Sequence, residues 1–184
     1  MRSGKYLIIA TALLSAGLVQ AQDFKLTSPT IKPDSRLTME QVYNGFGCTG
    51  QNQSPELKWT PGPKETKSYA VTVYDPDAPS GSGWWHWVVY NIPAKVTELP
   101  AGAGDDGGKL LPRGAIQGRT DFGTHAFGGA CPPAGDKDHR YVFTVFALNT
   151  GKIDVPVDAS AALIGFTINA DTIAKASFTA KYGR

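Results

Sequence analysis

Three runs of β-branched and aromatic residues limit most strongly what this chain can fold into. Ser68 to Asp75 reads SYAVTVYD and alternates Tyr69, Val71 and Val73 against Ala70, Thr72 and Tyr74. A period of two built from such residues is a strand buried on at least one face. Trp84 to Ile92, WWHWVVYNI, sets Trp84, His86, Val88 and Tyr90 on one side and Trp85, Trp87, Val89 and Asn91 on the other. Both sides are largely apolar, which predicts a central strand. His139 to Leu148, HRYVFTVFAL, sets His139, Tyr141, Phe143 and Val145 against Arg140, Val142, Thr144 and Phe146.

Shorter strand candidates are Phe24 to Thr27, Leu57 to Trp59 and Ala115 to Gln117. Helical pattern is confined to the end of the chain. Asp158 is placed to cap a helix over Ala159 to Ile164, Gly165 interrupts it, and Ala170 to Ser177 reads as another. The abundance of Gly and Pro, 21 and 13 residues, predicts many specific loops. Strands separated by irregular loops point to a mainly β sandwich closed by short C-terminal helices, not to a doubly wound α/β sheet.

The start of the chain carries Arg2 and Lys5, an apolar run from Tyr6 to Ala16, and Val19-Gln20-Ala21. Residues 1–21 therefore read as a secretory signal cut before Gln22, and residues 22–184 as one domain. The apolar run is shorter than the ~20 residues a membrane-spanning helix needs, so the mature chain is expected to have no transmembrane segment. Of the 18 basic residues 2 lie in this leader, which leaves 16 against 16 acidic ones. A neutral domain offers no general attraction to nucleic acid, so any anion it binds must be held locally. The periplasm or the exterior is oxidising, and there a bond between the two cysteines, Cys48 and Cys131, would stabilise the fold by about 2–5 kcal/mol. Two unpaired buried thiols are the other reading of the same residues.

His86 and His139 lie in apolar strands and so need hydrogen-bonding partners. Asp75 and Asp77, in the proline-stiffened turn Asp75-Pro76-Asp77-Ala78-Pro79, are the candidates. The loop from Phe127 to Gly135, FGGACPPAG, precedes His139-Arg140-Tyr141, and its backbone amides, with His139 and the Tyr141 hydroxyl, could surround an oxyanion. Solvated acids, satisfied core histidines and a plain turn are the alternative. Gly102-x-Gly104-x-x-Gly107 fits a dinucleotide fingerprint by letter, but it follows Pro100 instead of a strand and leads into no helix. No histidine pair has the spacing that seeds a zinc site, so neither metal nor cofactor is expected.

Taken together, Asp75-Pro76-Asp77-Ala78-Pro79, His86-Trp87, Asn91-Ile92-Pro93, Gly135 and His139-Arg140-Tyr141 resemble the signature blocks of the phosphatidylethanolamine-binding, or Raf kinase inhibitor-like, family. Gly45-Phe46-Gly47-Cys48 with Asn52, Ser54-Pro55, Leu57 and Trp59 is similar to its bacterial, exported branch. The resemblance implies a Greek-key β-sandwich of antiparallel sheets with a pocket for phosphate-like anions or phospholipid headgroups. It implies that Asp75, His86, His139 and Tyr141 line the pocket, with Pro132 and Pro133 on its rim. Asp77, Trp87, Gly129 and Cys131 would support it, Asp77 by bracing the loop. Phe127 stands where the family usually has Tyr, Ala130 replaces the first proline of its rim, and the C-terminal segment that often covers the pocket has no clear counterpart.

Two functions follow. One is a binding or inhibitory module with an unidentified protein partner, to which a homodimer is an open addition. The other is a hydrolase with His86 or His139 as base and Asp75 orienting it, which lacks a Gly-x-Ser-x-Gly nucleophile. Binding is the reading favoured here, with Asp75 keeping a histidine protonated so that it can face an anion.

Overall fold

The computed structural model describes residues 23–184, so the leader and the cut before Gln22 lie outside the described residues. Along the chain come β1 (Leu26–Thr27), β2 (Asn44–Gly45), β3 (Cys48–Thr49), β4 (Leu57–Trp59), β5 (Ser68–Asp75), β6 (Trp84–Pro93), β7 (Glu98–Leu99), β8 (Ile116–Gln117), β9 (His139–Leu148), α1 (Ala161–Ala170) and β10 (Thr172–Tyr182). The three long runs become β5, β6 and β9. They lie side by side in a five-stranded antiparallel sheet of order β10-β9-β5-β6-β8. After the β5–β6 hairpin the chain makes a long excursion before β9 returns beside β5, the step that defines a Greek key.

A three-stranded sheet, β1-β4-β7, faces the inner side of this sheet. Leu57, Trp59 and Leu99 from it pack with Tyr69, Val71, Val73, Trp87, Phe143 and Val145. Burying a large apolar side chain of this kind contributes about 1.5–3 kcal/mol, so this layer supplies most of the drive to fold. The outer side is covered by α1. Ile164 and Ile168 rest on Val88, Tyr90, Phe146 and Leu148. Among the described residues no helix is long and apolar enough to cross a membrane.

The C-terminal region corrects the sequence reading. There is one helix among the described residues, not two, and its N-cap is Ser160, whose hydroxyl accepts from the Leu163 amide at 3.2 Å; Asp158 lies outside it. Gly165 sits inside α1 and does not break it. A Cβ there would come within 2.9 Å of the Trp85 ring, so glycine is what allows the helix to lie close to the sheet. Most of Ala170 to Ser177 is strand, because β9 would otherwise leave an edge of buried residues unpaired. Ala174, Ala176, Phe178, Ala180 and Tyr182 turn inward, against Lys175, Ser177, Thr179 and Lys181. The alternation is visible in the letters, but alanine gives it little contrast.

Candidate functional site

A single extra residue aims His86. In the β5–β6 pairing Val73 stands opposite Trp87 while Tyr74 stands opposite Trp85, so His86 is the residue of a β-bulge. Strict alternation would turn His86 outward with Val88 and Tyr90 and away from Trp87. The bulge resets the count: Trp85, Val88 and Tyr90 pack on the outer core, Trp87 packs on the inner core, and His86 opens into an inner pocket beside Tyr141. Their rings meet edge to face at 5.1 Å.

The pocket lies where β5 ends at Asp75, β9 begins at His139 and β6 begins at Trp84, and its volume is about 140 Å³. Asp75, His86, His139 and Tyr141 form its polar part. Trp84, Phe122 and Phe46 make an aromatic wall, and Cys131, Pro132 and Pro133 make the rim. No lysine or arginine is among the lining residues.

Asp75 is held from two sides. Its Oδ1 accepts from the amides of Asp77 at 2.8 Å and Ala78 at 3.1 Å, a turn that Pro76 and Pro79 frame. Its Oδ2 lies 2.7 Å from His139 Nδ1, with both side chains no more than 5% exposed. The other nitrogen of His139 is 3.5 Å from Asp136, a residue sequence reasoning missed. His139 therefore holds Asp75 through Nδ1, and its ring also lines the pocket.

His86 is different. Its Nδ1 lies 2.7 Å from the Gly128 carbonyl, and because a carbonyl only accepts, Nδ1 carries the proton and Nε2 is left for the pocket. Burial pushes the pKa of His86 below its ordinary value, against the opposing pull of the Gly128 carbonyl and the Asp75 carboxylate. The expectation that a carboxylate neighbour keeps a histidine protonated is not met at His86: Asp75 bonds His139, and at His86 burial outweighs the pull of Asp75. Tyr141 places its hydroxyl in the protein interior with no hydrogen-bond partner among the described residues. Burial, aided by the charge of Asp75, raises its pKa, so it stays a phenol and can donate.

Four amides at the start of the glycine loop are spent inside the protein. Phe127 N donates to Gly104 O, Gly128 N to His86 O, Gly129 N to Asn52 Oδ1 and Ala130 N to Gln41 O, all within 3.0 Å. Gly129 serves close packing instead, since a Cβ there would meet the Gln41 carbonyl at 2.3 Å. Phe127 lies in the core against Trp87, so a hydroxyl at that position would not have reached the pocket. Trp87 is likewise core, its Nε1 donating to Gln117 at 2.7 Å. Asp77 takes two bonds from the Arg140 guanidinium, at 2.7 and 2.9 Å, and one from its amide; these hold its carboxyl at about 2 and tie the turn to β9.

Cys48 and Cys131 are bonded across 83 residues of sequence, which fastens the β2–β3 hairpin to the rim. Arg184 fastens the same place: its Nε donates to Pro132 O at 2.7 Å and its Nη atoms to Phe46 O and Gly47 O at 3.2 Å. Phe46, at the hairpin tip, is 66% exposed and touches Tyr43 and Phe122. None of Phe46, Phe122, Asp136 and Arg184 carried a periodic signal. All but Arg184 lie in turns or loops, where only the flanking glycines of Phe46 hinted at a tight tip.

The sequence model of the phosphatidylethanolamine-binding protein family matches residues 27–183. UPF0098 protein YbcL of Escherichia coli is 55% identical over 179 residues, 97% of this chain and 98% of that protein. Its crystal structure, described as that of a new member of the mammalian PEBP family, covers 89% of this chain and 99% of its own at a TM-score of 0.86 and 56% identity. The PEBP homolog CT736 of Chlamydia trachomatis matches 88% of this chain and 97% of its own at a TM-score of 0.72 and 27% identity. The chain, with this sandwich and these signature residues at one end of it, belongs to the phosphatidylethanolamine-binding protein family.

Proposed function

We propose that this chain is an exported binding protein whose pocket takes a small oxyanion, free or as the headgroup of a phospholipid, through Tyr141 and His86. The observation that carries the reading is the Tyr141 hydroxyl, a buried donor without a partner among the described residues, beside a cavity. Leaving such a group unsatisfied costs about 1–3 kcal/mol, which a ligand oxygen would recover. Asp75 and His139 position the site, and Pro132, Pro133 and Cys131 shape its mouth. Export is supported by the leader-like residues 1–21 and by a disulfide, which persists in oxidising compartments. A binding surface for a regulated protein partner would include the exposed Phe46 tip beside the mouth. Hydrolysis has little support: Cys131 is tied in the disulfide and no serine or threonine is among the pocket residues.

Calorimetric titration of phosphate or phosphoethanolamine tests the reading. Millimolar or tighter binding is expected in the wild type and about tenfold weaker binding in Tyr141→Phe and His86→Ala, provided circular dichroism shows both folded. No binding by the wild type at millimolar concentrations would refute it.

A further inference from the structure

Resting on that reading, we propose that the pocket selects oxyanions that carry a proton of their own, such as a phosphate or phosphomonoester in its monoanionic form, and rejects fully ionised ones such as sulfate. The polar part of the pocket is rich in acceptors. Asp75 Oδ2 has spent one lone pair on His139 and keeps capacity for another donor. His86 Nε2 is an acceptor whenever the ring is neutral, because the Gly128 carbonyl holds the ring proton on Nδ1. Against these the described side chains set one buried donor without a partner, the Tyr141 hydroxyl.

The surrounding charges point the same way. The groups facing His86 are Asp75 from β5, Tyr141 and His139 from β9, and Asp121 from the loop after β8, where it accepts from the Trp85 amide at 2.7 Å. None is a fixed cation. Arg140 is paired with Asp77, and Arg184 spends its donors on the carbonyls of Pro132, Phe46 and Gly47. A dianion would meet the Asp75 carboxylate with no lysine or arginine among the lining residues to offset it, at a cost that a low-dielectric site magnifies. A ligand bearing one O–H can donate to His86 Nε2 or Asp75 while its ionised oxygen accepts from Tyr141, and every polar group is then paired.

A proton on the ligand and a proton on His86 give the same rise of phosphate affinity with falling pH, so pH alone does not separate them. Sulfate does, since it has no proton to offer over the same range. The experiment titrates inorganic phosphate, phosphoethanolamine and sulfate into the wild-type protein between pH 5.5 and 8. Expected are phosphate and phosphoethanolamine affinities that rise as pH falls, the latter through the phosphomonoester second pKa of about 6, and sulfate binding at least tenfold weaker than phosphate at each pH. Sulfate binding as tightly as phosphate, or gaining affinity with acid as steeply, places the proton on the protein and overturns the inference while the oxyanion pocket stands. Failure of all three ions to bind removes the pocket reading and this inference together.

Discussion

The inner face of the five-stranded sheet ends in two different ways. At the end marked by Tyr69, Ile92 and Ala147 it is sealed by Trp59, Leu57 and Leu99 of the opposing sheet. At the end marked by Asp75, Trp84 and His139 the opposing strands have run out, and loops enclose a cavity. Among the described residues each end holds one buried side-chain polar atom without a partner, Trp59 Nε1 in the sealed end and Tyr141 Oη in the open one. The first has packed apolar neighbours and contacts the Tyr69 ring at 5.6 Å, whereas the second borders space for a ligand. An orphaned donor is a clue to function only where something can reach it.

If the two ends divide stability from binding, substitutions should separate them. The largest effect belongs to the packed layer: Phe143→Ala, which removes a buried ring stacked on Phe178 at 4.9 Å, should cost about 3–5 kcal/mol in urea unfolding. Tyr141→Phe removes a hydroxyl that bonds nothing among the described residues, so its unfolding midpoint should hold or rise while phosphate affinity drops about tenfold. Equal damage by both variants to stability would erase the distinction.

Acid sharpens the comparison further. His86 has a lowered pKa in the folded state, so the unfolded chain binds its proton more readily. Its contribution is whole above the ordinary value of about 6.5 and fades as pH falls below that. Thermal unfolding scans between pH 8 and 5 should show this decline, and His86→Gln should flatten it. The smallest effect is at Asp77, lowered from 3.8 to about 2 chiefly by the Arg140 hydrogen bond. That stability is present above about 4 and is lost toward 2; with Asp77 30% exposed and Arg140 56% exposed, it should amount to about 1 kcal/mol or less. Asp77→Asn should remove the acid loss in that window and leave phosphate binding unchanged.

How much of this was legible depended on the kind of residue. Strands β5, β6 and β9 stood out because large β-branched and aromatic side chains mark a period of two strongly. The β10 strand did not, since TIAKASFTAKY alternates alanine with polar residues that a helix would accept as readily. Asp75, His86, His139 and Tyr141 stood out as polar groups in or beside apolar strands, the family resemblance joined them into one pocket, and the structure brings all four to one cavity. Their division of labour was not legible. Which histidine meets Asp75 is decided by the bulge at His86 and by the pairing of β5 with β9, both relations between distant segments. Pro132 and Pro133 were expected at the rim, but its fastening by Arg184 was not legible, since Arg184 reaches it only once the chain has folded across the molecule.

The bulge in β6 also has a meaning in the language of insertions and deletions. The inward direction of His86 is stored as a residue count between Trp85 and Trp87, set against one fewer on β5. A substitution at Trp85 or Val88 alters what is packed there and leaves that count alone. Loss of one residue from this stretch would restore plain alternation and turn one neighbour of the pocket from inside to outside, dismantling the site without touching a ligand-facing atom. The address of the site is thus written in the length of the strand as much as in its letters.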